Sequence, residues 1–322
     1  MMLSYLVARL LHALAVVAAA CALSFALLHF APGDALAADT THAGRSAEAR
    51  AELRTRRGLD LPLHAQLVHY AGRTLRGDLG RSLVDDRPVA VALGAALKNS
   101  LLLTAAALVV AVTIGLLIGG AQGWRPNWRL GRLLGAALTA FYSIPEFVLA
   151  IGMIGVLSYW IGWFPIGGIS DPLTTITGTA SAQLRDRLWH LTVPALTLAL
   201  GWGAAIARQQ RVALLETVGS DHVRTARAKG LGERQVLLRH AVRPSFPAVA
   251  VMIGLMLPVL VSGAVVVEIV FAWPGMGSLM LRAVGQRDVP MVSGGIVLVA
   301  AVVSASSLCV DGVVRWIDPR QR

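Results

Sequence analysis

Charge is scarce in this chain. Only 15% of its 322 residues are charged, whereas 56% are hydrophobic, and the mean hydropathy is +0.65. A soluble protein of this size needs many more polar side chains to cover its surface. The composition therefore excludes a soluble domain and predicts an integral membrane protein.

Lysine is almost absent, and so are the common catalytic motifs. Neither Lys98 nor Lys229 stands in the Gly-Lys-Ser/Thr sequence with which a phosphate-binding loop reaches ATP. No histidine precedes a glutamate as zinc proteases require, and no Gly-x-Ser-x-Gly occurs. No catalytic residue is predicted, so the chain is expected not to be an enzyme, and any ATPase must be another chain. A membrane enzyme with an unfamiliar site, or a stand-alone channel, is the alternative from another class.

The chain has two cysteines, Cys21 and Cys309, and both lie in apolar runs at different expected depths, which implies no disulfide framework. The net charge of +11 comes from basic residues placed between apolar runs, not from one continuous patch. Such residues indicate membrane topology and contacts with lipid or protein partners, so nucleic acid is not expected as a partner.

Six apolar windows are each long enough for a transmembrane helix of ~20 residues. Together they predict an all-α, polytopic membrane protein with six transmembrane helices. One window contains a single acid, Glu146, and the other five have no charge. The windows are 10–33, 99–124, 133–170, 188–207, 244–267 and 289–310.

Arginine in the short connections predicts the orientation, because positive charge resists translocation. Arginines follow the second window, fill the segment 208–243 and recur near the end of the chain. Both termini are therefore expected in the cytoplasm. The division that follows is an N-terminal helix in 1–33, an extracytoplasmic loop region in 34–98 and a five-helix core in 99–322.

The charged segment 208–243 contains eight basic and three acidic residues between two apolar runs. Asp221 favours a helix start, Gly230 favours a left-handed helix end, and 233–243 is predicted as a second helix that Pro244 ends. Such a helix pair makes a compact knob for a partner. The alternative is a solvated basic loop that only sets topology.

Several further motifs accompany this segment. They are Gly77-Asp78-Leu79-Gly80-Arg81-Ser82, Arg87-Pro88-Val89, Asn99-Ser100, Ser143-Ile144-Pro145, Phe271-Ala272-Trp273-Pro274-Gly275-Met276-Gly277 and Arg287-Asp288. The charged segment itself contains the run Asp221-His222-Val223-Arg224-Thr225-Ala226-Arg227-Ala228-Lys229-Gly230-Leu231. Together these motifs resemble the inner-membrane permease subunits of binding-protein-dependent ABC importers, in the dipeptide, oligopeptide and nickel family. The resemblance covers nearly the whole chain.

The resemblance implies a type I ABC importer permease fold in the bacterial inner membrane. It implies four kinds of partner: a second homologous permease, two cytoplasmic ATPase subunits that bind ATP, an extracytoplasmic substrate-binding protein, and the lipid bilayer. No cofactor is expected in this chain. The implied cargo is a di- or oligopeptide, with nickel or a metal chelate as the alternative. The implied ATPase-coupling residues are Glu216, Arg224, Thr225, Ala226, Ala228, Gly230 and Leu231, with His240 supporting the second helix.

Two acids, Glu146 and Glu268, lie in or beside apolar windows, where an unpaired carboxylate is costly. Glu146 follows Pro145, which is expected to kink the helix, and is a candidate for the substrate path. Its alternative is a structural acid, either paired with an arginine or protonated. Glu268 is expected near the outer end of the fifth span, either at a gate or interface or simply exposed.

Three histidines of the outer loop, His42, His64 and His69, raise the question of a metal site. Their spacing does not place a pair of ligands on one helical face. No metal ligand is therefore predicted, and the histidines are expected to be solvated.

Overall fold

The computed structural model describes residues 2–30, 62–262 and 264–317, and these ranges are largely helical without a named strand. The helices are α1 Met2–Phe30, α2 Leu63–Leu75, α3 Val89–Trp124, α4 Arg129–Ser143, α5 Glu146–Met153, α6 Pro172–Thr177, α7 Ala180–Val218, α8 Asp221–Ala228, α9 Glu233–Gln235, α10 Arg243–Ser262, α11 Val265–Val270, α12 Met276–Gly285 and α13 Val289–Ile317. Two π-helical segments, Ile154–Trp160 and Val236–Val242, follow α5 and α9.

Five stretches of helix in the described ranges are long and apolar enough to cross a membrane, and α4 with α5 makes a sixth if that bent pair is one span. The six predicted windows fall on these helices, so the all-α, polytopic class is confirmed. Helices α3 and α7 are 36 and 39 residues long and extend well beyond their windows. At ~1.5 Å per residue, each is longer than the ~30 Å hydrocarbon layer.

The third window is broken rather than kinked. Helices α4 and α5 meet at an angle of 111°. Ile144 between them is extended, with φ −78° and ψ 131°, because the ring of Pro145 disfavours helical backbone at the preceding residue. Glu146 therefore lies in the first turn of a new helix and not in the middle of one.

The prediction that Pro244 ends the second helix of the knob is wrong. The backbone continues from α9 through the π-helical segment Val236–Val242 into α10, with Pro244 as the second residue of α10. A π-helical segment pairs each N–H with the carbonyl five residues earlier, which shifts the hydrogen bonding ahead of the proline and accommodates its missing N–H.

The chain divides into two compact units, and α3 and α13 contribute to both. The first unit comprises Met1–Lys98 and Gly275–Leu308. In it, Phe25 of α1 packs on Tyr70 of α2 with ring centroids 6.0 Å apart, and the Ser24 hydroxyl donates to the Ser293 carbonyl of α13 at 3.1 Å. Its buried core consists of Val89, Leu93, Ala96, Met276, Ala283 and Met291.

The second unit comprises Asn99–Pro274 and Cys309–Arg322. In this unit α7 packs against α4, α5 and α10. Helices α3 and α7 approach so closely that a methyl group added at Gly119 would collide with the Ala207 carbonyl. The largest buried core consists of Leu103, Ala107, Ala150, Leu191, Val193, Ala195, Leu198, Val267, Phe271 and Trp273.

Candidate functional site

The charged segment folds as a small knob, defined here as residues 219–243. Helix α7 ends at Val218, and α8 begins two residues after Gly219. Gly230 has φ 76°, which confirms the predicted left-handed helix end. Arg208 and Arg211 belong to α7, which continues for about three helical turns into the predicted coupling segment 208–243.

An apolar core holds the knob together. Val223, Ala226 and Val236 are almost completely buried, and Trp124 and Leu231 pack against them. Trp124 is the last residue of α3. The knob is therefore a folded element that rests on the end of a long apolar helix.

Arg227, on α8, contacts both Trp124 at the end of α3 and Glu233 at the start of α9. Its guanidinium carbon lies 5.2 Å from the centre of the Trp124 ring. The same group donates to Glu233 at 3.0 Å from Nε and 3.3 Å from Nη2. A stacked, two-point contact of this kind fixes geometry more strongly than a simple surface ion pair.

His222 ties the start of α8 to the π-helical segment. Its Nε2 lies 3.1 Å from the His240 carbonyl, and its Nδ1 lies 2.9 Å from the Ser220 hydroxyl. The Ser220 hydroxyl donates its proton to the Thr217 carbonyl at 2.5 Å. His240 takes part through its backbone carbonyl. Sequence reasoning expected a supporting role for His240 but missed His222 as its partner.

Most of the predicted docking residues are exposed, on the outer face of the knob or, for Glu216, at the end of α7. Glu216, Arg224, Thr225, Ala228 and Gly230 are exposed, and Leu231 is half-buried. Ala226 departs from the expectation. Its side chain is 4% exposed, because it fills the space between Val223 and Val236 in the core of the knob. It is placed to shape the knob from within rather than to touch a partner.

The long helices contact one another beside the knob. A methyl group added at Gly123 of α3 would lie 2.8 Å from Leu214 Cβ of α7, so these two helix ends touch. Buried Gln210 of α7 donates from Nε2 to the Ser245 hydroxyl of α10 at 3.2 Å.

Glu146 is exposed at the start of α5, beside the break after α4. Near the same break, the guanidinium carbon of Arg208 lies 5.1 Å from the centre of the Tyr142 ring. Sequence reasoning counted Arg208 among the residues of the loop. The length of α7 instead places it on a membrane helix, about 15 Å before the end of that helix.

Glu268 is fully buried, which excludes the simple exposure that was one expectation for it. The Ser100 hydroxyl donates to its Oε1 at 2.5 Å. Beside them, Trp273 Nε1 donates to the Asn99 carbonyl at 3.0 Å, and Asn99 Nδ2 donates to the Pro274 carbonyl at 2.9 Å. The two sequence motifs that contain these residues therefore meet, and they tie α11 to α3.

A second buried carboxylate, Asp288, fixes the segment that follows α2. It accepts from the Ser82 hydroxyl at 2.5 Å, from the Leu83 N–H at 3.2 Å and from the Met291 N–H in the first turn of α13 at 3.3 Å. The sequence offered Ser82 and Asp288 only as members of separate motifs. Their contact joins residues about 200 positions apart in the chain.

The turn next to Ser82 is held by an ion pair between Asp85 and Arg87. Partial burial raises the pKa of the Asp85 carboxyl. The backbone N–H of Arg87, the Ser82 hydroxyl and the Arg87 guanidinium lower it by a larger amount, so the pKa of Asp85 lies below its ordinary value. The guanidinium contacts the carboxylate at 2.6 Å. The charged form of Asp85 therefore stabilises this turn.

Among the described residues, no group of three or more His, Cys, Asp and Glu side chains is placed to hold a metal ion. His64 and His69 are exposed on α2. His42 lies outside the described residues, as does the rest of the segment 34–61 of the predicted outer loop.

Comparison with known proteins identifies the class to which this fold and knob belong. Residues 93–322 match the model of the binding-protein-dependent transport system inner membrane component. The chain belongs to this family, whose members are multi-pass permeases of transport systems rather than enzymes.

Individual relatives agree with that assignment. A peptide permease protein of Brucella suis is 36% identical over 99% of both chains. The oligopeptide transport system permease protein AppB of Bacillus subtilis is 33% identical over 99% of both chains. The glutathione transport system permease protein GsiC of Salmonella typhimurium is 34% identical over 100% of this chain and 99% of its own.

A solved structure supports the fold. The chain is similar to one from the inward-facing MetNI methionine ABC transporter, with a TM-score of 0.56 and 21% sequence identity. The similarity covers 72% of this chain and 99% of the other. The type I ABC importer permease fold is thereby confirmed.

Proposed function

We propose that this chain is a membrane-spanning permease subunit of an ATP-driven importer and forms part of the translocation path for di- or oligopeptides. Three relatives with full-length similarity are named as peptide, oligopeptide and glutathione permeases. These names favour a peptide over the nickel or metal-chelate alternative. They also make a membrane enzyme or a stand-alone channel the weaker interpretations.

The observation that carries the proposal is the folded knob on the ends of the long helices. A loop that only set topology would need neither a buried core nor a stacked arginine. We infer that the exposed face of the knob docks on an ATPase subunit through Arg224, Thr225, Ala228, Gly230 and Leu231, together with Glu216 at the end of α7. In this proposal Ala226 and His240 keep that face in shape, and closure of the ATPases moves the attached helices by rigid-body tilting.

The complete transporter would contain this chain, a second homologous permease, two ATPase subunits and an extracytoplasmic binding protein that delivers the peptide. ATP would be bound by the ATPases and not by this chain, which has no phosphate-binding loop around Lys98 or Lys229. No cofactor is needed here. Both termini and the knob would lie in the cytoplasm, with the segment after α1 outside.

The two intramembrane acids take different roles in this scheme. Exposed Glu146 lines the substrate path, because an exposed carboxylate at membrane depth requires a polar cavity or a partner. Buried Glu268 holds α11 against α3 through Ser100. It is a positioning residue for the outer end of the path.

The test is reconstitution. The subunit is co-expressed with its partner permease, the ATPases and the binding protein, purified through a tag on this chain, and placed in vesicles. We expect the ATPases to co-purify and a labelled tripeptide to enter in an ATP-dependent manner, without comparable uptake of nickel. Absence of any associated ATPase would contradict the docking proposal. ATP-dependent uptake of nickel but not of peptide would instead support the alternative cargo.

A further inference from the structure

Arg227 lies on the flank of α8, between the core of the knob and its proposed docking face. At ~100° per residue, Arg227 is ~40° around the helix from buried Val223 and ~60° from exposed Arg224. Its guanidinium carbon stands 5.2 Å from the centre of the Trp124 ring, and Trp124 is the last residue of α3. The side chain is therefore directed away from the middle of the docking face and towards the end of α3.

The backbone between α8 and α9 leaves the angle between these helices open. The connection 229–232 includes Gly230 and Gly232, and glycine adopts a wider range of backbone angles than other residues. Across this connection, Arg227 donates from Nε and Nη2 to the two carboxylate oxygens of Glu233, at 3.0 Å and 3.3 Å. One guanidinium thus restrains the angle between α8 and α9 and contacts α3 at the same time.

These contacts orient the knob more than they stabilise it. Val223, Ala226 and Val236 are buried and form the core that holds the knob folded. By contrast, the side chains of Arg227 and Glu233 are 41% and 64% exposed. An exposed ion pair or cation–π contact shifts a local equilibrium by at most about fivefold. Loss of the Arg227 guanidinium should therefore leave the knob folded but widen the range of angles that it takes on α3.

We infer that Arg227 is a positioning residue for energy coupling, which sets the angle of the knob on the end of α3. The inference rests on the proposed docking of an ATPase subunit on the knob and deepens it. An ATPase that closes on a knob held at one angle moves α3 with it. If the knob is free to turn on α3, part of that motion only turns the knob, and ATP is hydrolysed without a matching import of peptide.

The experiment measures the amount of a labelled tripeptide imported per ATP hydrolysed by the complete transporter in vesicles. Arg227→Met keeps a long, flexible side chain that can cover the Trp124 ring but removes the charge and the donors. Its ratio is expected to be about three- to fivefold below the wild-type ratio. The amounts of assembled complex and of co-purified ATPase, and the protease sensitivity of the knob, are expected to be unchanged.

Two further variants frame this result. Arg227→Lys keeps the positive charge but loses the pair of donors in a fixed fork, so its ratio should lie between those of Arg227→Met and the wild type. Arg234→Gln is the matched control, because Arg234 is an exposed arginine beside Glu233 and lies outside the proposed docking residues. Its ratio should equal that of the wild type.

A double-variant cycle tests whether Arg227 acts through Glu233. Glu233→Gln removes the ion pair but leaves the guanidinium over Trp124, so a smaller loss of about twofold is expected. Arg227→Met combined with Glu233→Gln should lose no more than Arg227→Met alone, because the pair is already absent. Losses that multiply would show that the two side chains act independently, and they would overturn the inference.

Three other results would also overturn it. A wild-type ratio in Arg227→Met would show that these contacts do not serve coupling. Less ATPase co-purified with Arg227→Met would make Arg227 a docking contact rather than a positioning residue. A normal ratio per complex with less assembled complex, or a knob cleaved faster by protease, would make its role structural. A wild-type transporter that carries no ATPase, or whose ATPase does not respond to peptide, would instead reject the proposed function.

Discussion

The left-handed residue Gly230 offers the sharpest test of the knob. It has φ 76°, and a Cβ added there meets nothing within 4 Å. A substitution at this position therefore introduces no clash, and its cost is confined to the backbone. For a non-glycine residue that cost is ~1–2 kcal/mol, and a β-branched side chain adds to it.

A cost of ~1–2 kcal/mol changes an equilibrium constant by roughly 5- to 30-fold. We therefore expect Gly230→Val to lower the ratio of the native knob conformation to alternative local conformations by this factor. Insertion into the membrane depends on the apolar helices and should be unchanged. Substrate-stimulated ATP hydrolysis and peptide uptake of the reconstituted transporter should both fall, because fewer molecules present the docking face.

Two other variants separate strain from bulk. Gly232 has φ −62° and also has open space around it, so Gly232→Ala should have little effect. Gly230→Asn should retain more coupling than Gly230→Val, because asparagine tolerates the left-handed region better. If Gly230→Val supports normal uptake and normal stimulated ATP hydrolysis, the knob is not the coupling element and the reasoning is refuted.

Four further results are expected. Trp124→Ala should loosen the knob by ~2–4 kcal/mol and increase its protease sensitivity, since this ring packs on the core of the knob; unchanged cleavage would contradict that. Ser100→Ala should lower the thermal stability of the subunit by ~1–3 kcal/mol, because Glu268 then loses a buried donor; an unchanged melting temperature would count against this contact. The purified subunit alone should bind no labelled ATP, and stoichiometric binding would be a direct contradiction. The pKa of Asp85 is lowered in the folded protein, so the stabilisation that its charged form gives the folded turn is complete above the unfolded pKa of ~3.9 and is lost as pH falls through the folded pKa. Amide exchange in residues 82–88 should therefore become faster in acid, and its dependence on pH should be weaker in Asp85→Asn.

Patterns along the chain predicted much of this fold. Apolar runs located the spans, and Gly230 located the end of a helix, because both signals are local. The extents of α3 and α7 were not predictable from charge-free windows. Helices continue through Lys98 and Arg208 because long basic side chains can place their charged ends in water while the backbone remains helical.

Contacts between distant parts of the chain were beyond local patterns. The burial of Ala226 follows from the packing of α8 on the π-helical segment, and the burial of Glu268 follows from its position beside Ser100. A small residue in a charged segment is compatible with a docking surface or a core, and only the fold decides between them. Pro244 shows the same limit, since its usual effect as a helix breaker is offset by the π-helical hydrogen bonding before it.

The unbroken helical path from Glu233 to Ser262 has a mechanical consequence. It is about 45 Å long at ~1.5 Å per residue, and its first turns belong to the knob. Because no loop interrupts this path, a tilt of its first turns is transmitted to its far end. A tilt of ~10° imposed at the knob would carry the far end sideways by ~8 Å over that length. One alanine inserted after Val242 would rotate the rest of α10 by ~100° about the helix axis. The proposed docking residues, which all precede Val242, would be unchanged, but the knob would move a different face of α10.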